Sequence, residues 1–270
     1  MNKTKMRLGA VLLLGTMLGA CTQTVDLKGK TEEGQGLLSF TLKTSADFAT
    51  TRAVVESTYA NVDNYTIVVT DNYGVERMNC KGSEVASKMP LILNVGDYTV
   101  KAYYGAEASA SRDTFYVYGE SQGYILPDEE EIVEVECTPT CGRIRVEFDE
   151  KMDTFFCEYK VKFEGTKALK NDTIPCVWEK NDSLPWYVKL DEGGETISFT
   201  VTTETKEEYV NANQKQKSEA KGTFQLNRNK GYKLNISPSY SATGKVGITI
   251  TVDESTNDKN VDVEVPIEWT

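Results

Sequence analysis

The sequence predicts an all-β protein, two tandem antiparallel β-sandwich domains behind a cleaved leader. Three observations predict it. Short runs of alternating apolar and polar residues, rich in Val, Ile, Thr, Tyr and Phe, recur along almost the whole chain. Gly, Asn and Asp gather between the runs, where hairpins turn. No long amphipathic stretch separates them, so helical crossovers are not expected. A sandwich buries one face of each sheet, which is what period-two alternation supplies.

The leader comes first. Lys3, Lys5 and Arg7 precede an apolar run from Leu8 to Leu18, and Leu18-Gly19-Ala20-Cys21 follows. A charged start, a short apolar run and small residues mark an export signal over residues 1–20, too short for an ordinary membrane span. A leucine three residues before a cysteine looks like the bacterial lipobox. That likeness implies cleavage before Cys21 and acylation of its thiol; the other reading is an ordinary signal with an incidental cysteine. Each buried acyl methylene contributes about 0.8 kcal/mol of membrane attachment, so several chains hold a protein that has no spanning helix. Residues 21–35 are polar and read as a tether.

The first sandwich is expected over 36–138. Leu38, Phe40 and Leu42 alternate with Ser39 and Thr41. Tyr65 to Thr70 runs into the turn Asp71-Asn72-Tyr73-Gly74, and Leu91-Ile92-Leu93 passes through Asn94 to Asp97 into Tyr98 to Tyr104. Phe115 to Gly119 and Val133 to Cys137 continue the pattern. The run Asp128 to Glu131 reads as a solvated turn before an edge strand, because consecutive residues of an extended chain point to opposite sides and do not converge on a calcium ion. Pro139 breaks the strand run and sets the boundary.

The second sandwich is expected over 139–270. Arg143 to Phe148, Tyr159 to Phe163, Trp186 to Val188 and Thr196 to Val201 read as strands. Phe224 and Leu226 lead through an Asn-rich turn into Tyr232, Leu234 and Ile236, and Val246 to Val252 and Val261 to Trp269 end the chain. Lys206 to Lys221 is polar throughout and predicts a surface helix or a long loop. Asp253, Asn257, Asp258, Asn260 and Asp262 lack the spacing and glycine of a calcium loop and read as a turn. Tyr98 and Tyr232 each stand beside a turn glycine at the start of a strand, a place where a buried ring returns its hydroxyl to nearby backbone.

Composition excludes several functions. The formal charge is −11, and loss of the three leader cations takes it to −14. So acidic a body argues against nucleic acid and against an anionic membrane face. The chain has no histidine, which excludes Ser-His-Asp and Cys-His sites and imidazole-bound zinc. No carboxylates form a recognisable acid/base motif, so an enzyme is not expected, nor a cofactor or metal. Beyond Cys21 five cysteines remain, an odd number. Cys137 and Cys157 are expected on buried strand faces, with one or two disulfides open.

The lipobox, Gly36 to Phe40, Tyr65 to Gly74, Leu93 to Ala102 and Phe115 to Gly119 together resemble uncharacterised β-sandwich lipoproteins of gut Bacteroidales. The architecture is similar to fimbrillin-like proteins, which have a lipidated start and two tandem transthyretin-like or immunoglobulin-like sandwiches. The resemblance implies a non-enzymatic lipoprotein in cell adhesion or fimbria-like assembly, held at the outer membrane through Cys21 and facing the cell surface. The segment after Cys21 carries a single acid, Asp26, which leaves a periplasm-facing position open. The resemblance also implies that an Arg-specific protease can cut at Arg52, in Thr51-Arg52-Ala53; the alternative is an ordinary loop arginine. Partners are expected to add a strand to an exposed sheet edge. The alternative is a glycan-binding lipoprotein of a polysaccharide-uptake system, with Trp178, Trp186 and Tyr187 stacking the sugar.

Overall fold

The computed structural model describes residues 31–45, 58–171, 175–210, 216–240, 246–254 and 260–261. The leader, Cys21 and Arg52 lie outside them. Strands come in chain order as β1 (Gln35–Thr44), β2 (Thr66–Asp71), β3 (Glu76–Lys81), β4 (Leu91–Asn94), β5 (Gly96–Tyr104), β6 (Ala110–Ser111), β7 (Val117–Ile125) and β8 (Glu130–Pro139). Then follow β9 (Cys141–Phe148), β10 (Phe156–Glu164), β11 (Cys176–Glu179), β12 (Trp186–Lys189), β13 (Glu195–Thr205), β14 (Lys217–Leu226), β15 (Gly231–Tyr240), β16 (Val246–Glu254) and β17 (Asn260–Val261).

The first sheet has the order β3-β2-β5-β7-β8-β1-β4. Every one of these strands sends side chains into a single core, among them Phe40, Ile67, Cys80, Leu93, Val100, Val117 and Val135. The sheet therefore folds over upon itself. A four-stranded sheet, β11-β10-β13-β14, faces a six-stranded one, β17-β16-β15-β9-β12-β6. Val161, Phe199 and Val201 from one interdigitate with Val146, Leu234 and Ile250 from the other in a second core.

Most ladders are antiparallel, but β1 runs parallel to β8 and β9 runs parallel to β15. A parallel pair needs a long connection between its strands, and here each spans most of a core's worth of chain. Gly36, at the start of β1, lets the strand pass close to the turn after β7: a β-carbon there would sit 2.1 Å from the Leu126 carbonyl oxygen.

Three expectations are corrected. The acid run leads into β8, which is not an edge but lies between β7 and β1. Alternation reports a strand's faces and not its place in the sheet; Glu134 faces outward and pairs with Lys43 at 2.6 Å. Cys157 is exposed. The β10–β13 register shifts between Phe156 and Glu158, and Cys157 is the extra residue of that bulge, turned away from the core. The polar stretch to Lys221 holds the first half of β14, which lies at a sheet edge and buries only Ala220 there, so no apolar stripe announces it. The described cysteines are all free thiols. Burial, with Glu136 second, pushes the Cys137 thiol up to about 11, which keeps it protonated and inert.

The two corner tyrosines are where the sequence places them. Both rings are buried. The Tyr98 hydroxyl donates to the Asn94 carbonyl at 3.0 Å. The Tyr232 hydroxyl accepts from the Asn227 backbone N–H at 3.3 Å and from its side-chain amide at 2.9 Å. The predicted Asp71 turn is also built as a unit. One Asp71 oxygen accepts from the Tyr73 and Val75 N–H groups, both at 2.9 Å, and the other from Arg77 at 2.5 and 3.0 Å.

Tyr98→Phe and Tyr232→Phe should each lower stability by about 1 kcal/mol, since each loses the hydroxyl's hydrogen bonds to its turn; urea unfolding of the single variants reads this directly. Asp71 gives a pH prediction. Burial raises its carboxyl, but bonds from the Val75 N–H, Arg77 and the Tyr73 N–H outweigh that and hold it below the usual carboxylate range. Its contribution is therefore present above that range and lost as pH falls through the lowered value. Asp71→Asn should be less stable than the parent near neutrality, and the gap should shrink under acid, as followed by thermal melts across pH.

Candidate functional site

The first and second halves of the chain meet at Thr140, the single residue between β8 and β9. Its N–H donates to the Tyr116 carbonyl at 3.0 Å, and its carbonyl accepts from the Leu190 N–H at 3.1 Å. Around it the halves exchange parts. β6 leaves the first half and pairs with β12, Ser111 opposite Tyr187 and Ala110 opposite Val188. In return Tyr187 belongs to the first core and packs on Phe115, ring centres 4.9 Å apart.

Arg112 follows β6 and completes the joint. Its Nη2 donates to the Val177 carbonyl at 2.8 Å and to Asp182 at 2.6 Å, and its Nη1 to the Leu184 carbonyl at 3.2 Å. The guanidinium lies 4.6 Å from the Trp186 ring centre and 5.3 Å from that of Trp178. Such a contact contributes about 0.5–2 kcal/mol, more as water is excluded. The Trp186 indole donates to the same Val177 carbonyl at 2.9 Å.

These contacts correct the sugar-stacking expectation. Trp178 is 2% and Trp186 8% exposed, and Tyr187 is equally buried. Both tryptophans belong to the second core and Arg112 covers them from the other half. No ring face is left open for a sugar. The sequence singled out the right aromatics but missed Arg112, which stands in a loop without periodicity and carries no local sign of its partner far down the chain.

The perturbed acid groups read as structural. Asp153 lies below the usual carboxylate range, first through hydrogen bonds from Lys180 and Tyr159. Tyr159 is pushed up to about 12 by burial and then by Asp153. A group that stays ionised beside one that stays neutral does not exchange a proton near pH 7. A surface cleft of about 250 Å³ is lined by Glu158, Lys160, Glu179, Thr202, Glu204 and Lys217. Its charges alternate, with Lys217 and Glu204 paired at 3.3 Å. Among the described residues no group of carboxylates and thiols is placed to hold a metal, and no helix is long and apolar enough to cross a membrane.

What the structure offers instead is backbone. Among the described residues, β3 and β4 end the first sheet, and β11 and β14 end the second. In the third, β17 as described pairs with Val252 and Asp253 of β16, and the rest of the predicted strand Val261 to Trp269 lies outside the described residues. A narrow groove runs between β14 and β16, floored by Phe156, Ala220, Gly247 and Ile248.

Residues 34–267 match the model of a family described as a domain of unknown function, DUF4493. The chain belongs to that family. No curated protein matches this DUF4493 chain. Among solved structures it is similar to a candidate adhesin from Bacteroides ovatus, with 9% identity and a TM-score of 0.47 over 84% of this chain and 95% of that one. It is similar also to a fimbrial assembly protein from Parabacteroides distasonis, at 12% identity and a TM-score of 0.44 over 84% and 98%. A third is the fimbrial anchor protein Mfa2 from Porphyromonas gingivalis, at 10% identity and 0.40 over 84% and 99%. These neighbours are Bacteroidales adhesin and fimbrial proteins, the company the sequence resembles.

Arg112 is the test of the joint in the DUF4493 chain. Arg112→Ala removes three hydrogen bonds and two ring contacts and should cost about 2–3 kcal/mol. Tryptophan emission should shift to the red before global unfolding, as water reaches Trp186. Arg112→Lys keeps the charge but not the fork, and should restore only part of the loss.

Proposed function

We propose that the protein is a non-enzymatic lipoprotein, anchored through Cys21 at the outer membrane and facing the cell surface, that takes part in adhesion or fimbria-like assembly. The observation that supports this most is the sheet edge at β14, which among the described residues has no strand on its outer side, on a body behind a lipid-attachment signal. An open edge with an apolar groove beside it binds an extended segment through main-chain hydrogen bonds, with alternate side chains entering the groove. Neither catalytic groups nor a cofactor are needed. Cys21 supplies attachment, residues 22–35 supply reach, and the domain pair 36–138 and 139–270 supplies a body that presents its edges away from the membrane.

Arg52 has a defined meaning within this reading. It follows β1 in sequence, and β1 lies between β8 and β4. A cut after Arg52 would separate both β1 and the lipidated cysteine from the body. Anchoring through Cys21 and release of β1 therefore exclude one another, and the anchored form keeps its first strand, held along β8 from Leu37 to Thr44. The glycan alternative loses its site with the burial of the two tryptophans.

Mass spectrometry of the membrane fraction should find an acylated chain that begins at Cys21 and runs uncut through Arg52. Cys21→Ser should move the protein to the soluble fraction. Protease added to intact cells should digest the parent protein. Protection until lysis would sink the surface reading, and a membrane-bound chain cut after Arg52 would sink the retained first strand.

A further inference from the structure

The outer face of the first sheet carries a stripe that neither the fold nor the edges use. Ile132 of β8 is 66% exposed, Ile92 of β4 51% and Tyr124 of β7 50%. Register brings them side by side. Ile92 is opposite Leu37, and Ile132 is beside Ser39, two residues on along the same face of β1. Gly123 abuts Val133 and Glu131, which sets its neighbour Tyr124 beside Ile132. Leu126 and Val95 extend the patch at the adjoining strand ends, both half-exposed. Single exposed apolar residues are ordinary, but a set on three strands of one sheet face marks an interaction surface.

The charge around the stripe is mostly acidic. Of the lysines on this face, Lys43 is taken up by Glu134 at 2.6 Å and Lys101 by Glu120 at 3.7 Å. Glu130 stands on the same face as Ile132 and cross-strand from Leu37, and Asp97 is opposite Tyr124. Asp128 and Glu129 lie in the turn between β7 and β8. A second copy would bring the same acids against these and be repelled, and an anionic lipid surface would be repelled likewise. A segment whose apolar side chains alternate with cations fits both the stripe and the rim.

We infer that this face docks a basic, amphipathic extended segment of a partner protein, its apolar side chains on Ile92, Ile132 and Tyr124 and its cations on Glu130, Asp97 and the acid turn. The inference builds on the proposed role in assembly but uses a different surface from the β14 edge, so each is tested separately.

The test titrates the full chain with a fluorescent peptide of alternating leucine and lysine, read by anisotropy. An otherwise identical leucine–glutamate peptide is the control. The basic peptide should bind and the acidic one should not, with affinity falling as salt rises. Tyr124→Ser with Ile132→Ser, both at exposed positions, should weaken binding by about tenfold or more. Asp97→Lys with Glu130→Lys should do the same, while Glu207→Lys with Glu208→Lys on the other half should change little. Equal binding of the acidic peptide, or of the parent and the two patch variants, overturns the inference. So does a dimer of the parent chain, seen by light scattering without peptide, that Tyr124→Ser with Ile132→Ser abolishes, since the occupant would then be a second copy. Loss of the β14 edge function would leave all these readings unmoved.

Discussion

Thr140 is the point on which the rest depends. It is the only residue between a strand that closes the first core and a strand that opens the second, and its backbone bonds in both directions. So short a link leaves no slack for the two cores to drift apart. The surfaces near it are consequently buried, and they need partners from the opposite half. β6 beside β12, Tyr187 on Phe115 and Arg112 over the tryptophans are those partners. Trp178 and Trp186 are buried within the second core itself, and Arg112 closes over them from the first half.

A rigid joint also decides where binding can occur. Concave sites commonly form where two units meet, but here the meeting place is filled by Arg112 and its carbonyl acceptors. What remains open are the sheet edges and outer faces, which lie away from the joint. The chemistry of those places differs. The β14 edge, the end of its sheet among the described residues, offers main-chain amides and carbonyls with an apolar groove beside it. The β4–β1–β8–β7 face offers apolar side chains in an acidic field. An edge reads main chain and is permissive about sequence; a charged apolar face reads side chains and is selective.

Much of the fold was legible because period-two alternation is a local signal with one physical cause. Leu38 and Phe40, Val133 and Val135, and Leu234 and Ile236 all entered their cores as their spacing requires. The corner tyrosines were legible for a related reason: the turn glycine, the ring and the hydroxyl's acceptor lie within a few residues of one another. What failed to show was anything set by distant sequence. β8 is interior because β1 comes back to cover it, and Cys157 is turned out by a bulge defined against β13. Arg112 finds acceptors near Val177 and Leu184. None of these partners leaves a trace in the neighbouring residues.

The acid run Asp128 to Glu131 shows how one motif changes meaning with topology. On an edge strand, such charges guard against unwanted pairing, because a partner strand would have to desolvate them. β8 is not an edge, so that protection has no object there. Yet like charges packed into one turn repel and cost stability unless something offsets them; the Asp128 carboxylate accepts from Thr31 and its N–H donates to the Gln35 carbonyl, both at 2.9 Å. Beside an apolar stripe the same charges act differently. They keep the exposed Ile92, Ile132 and Tyr124 from sticking to other copies of an acidic protein, while leaving them open to a cationic segment. An exposed apolar surface persists only if its unwanted partners are turned away, and here the residues that turn them away are also those that would select the right one.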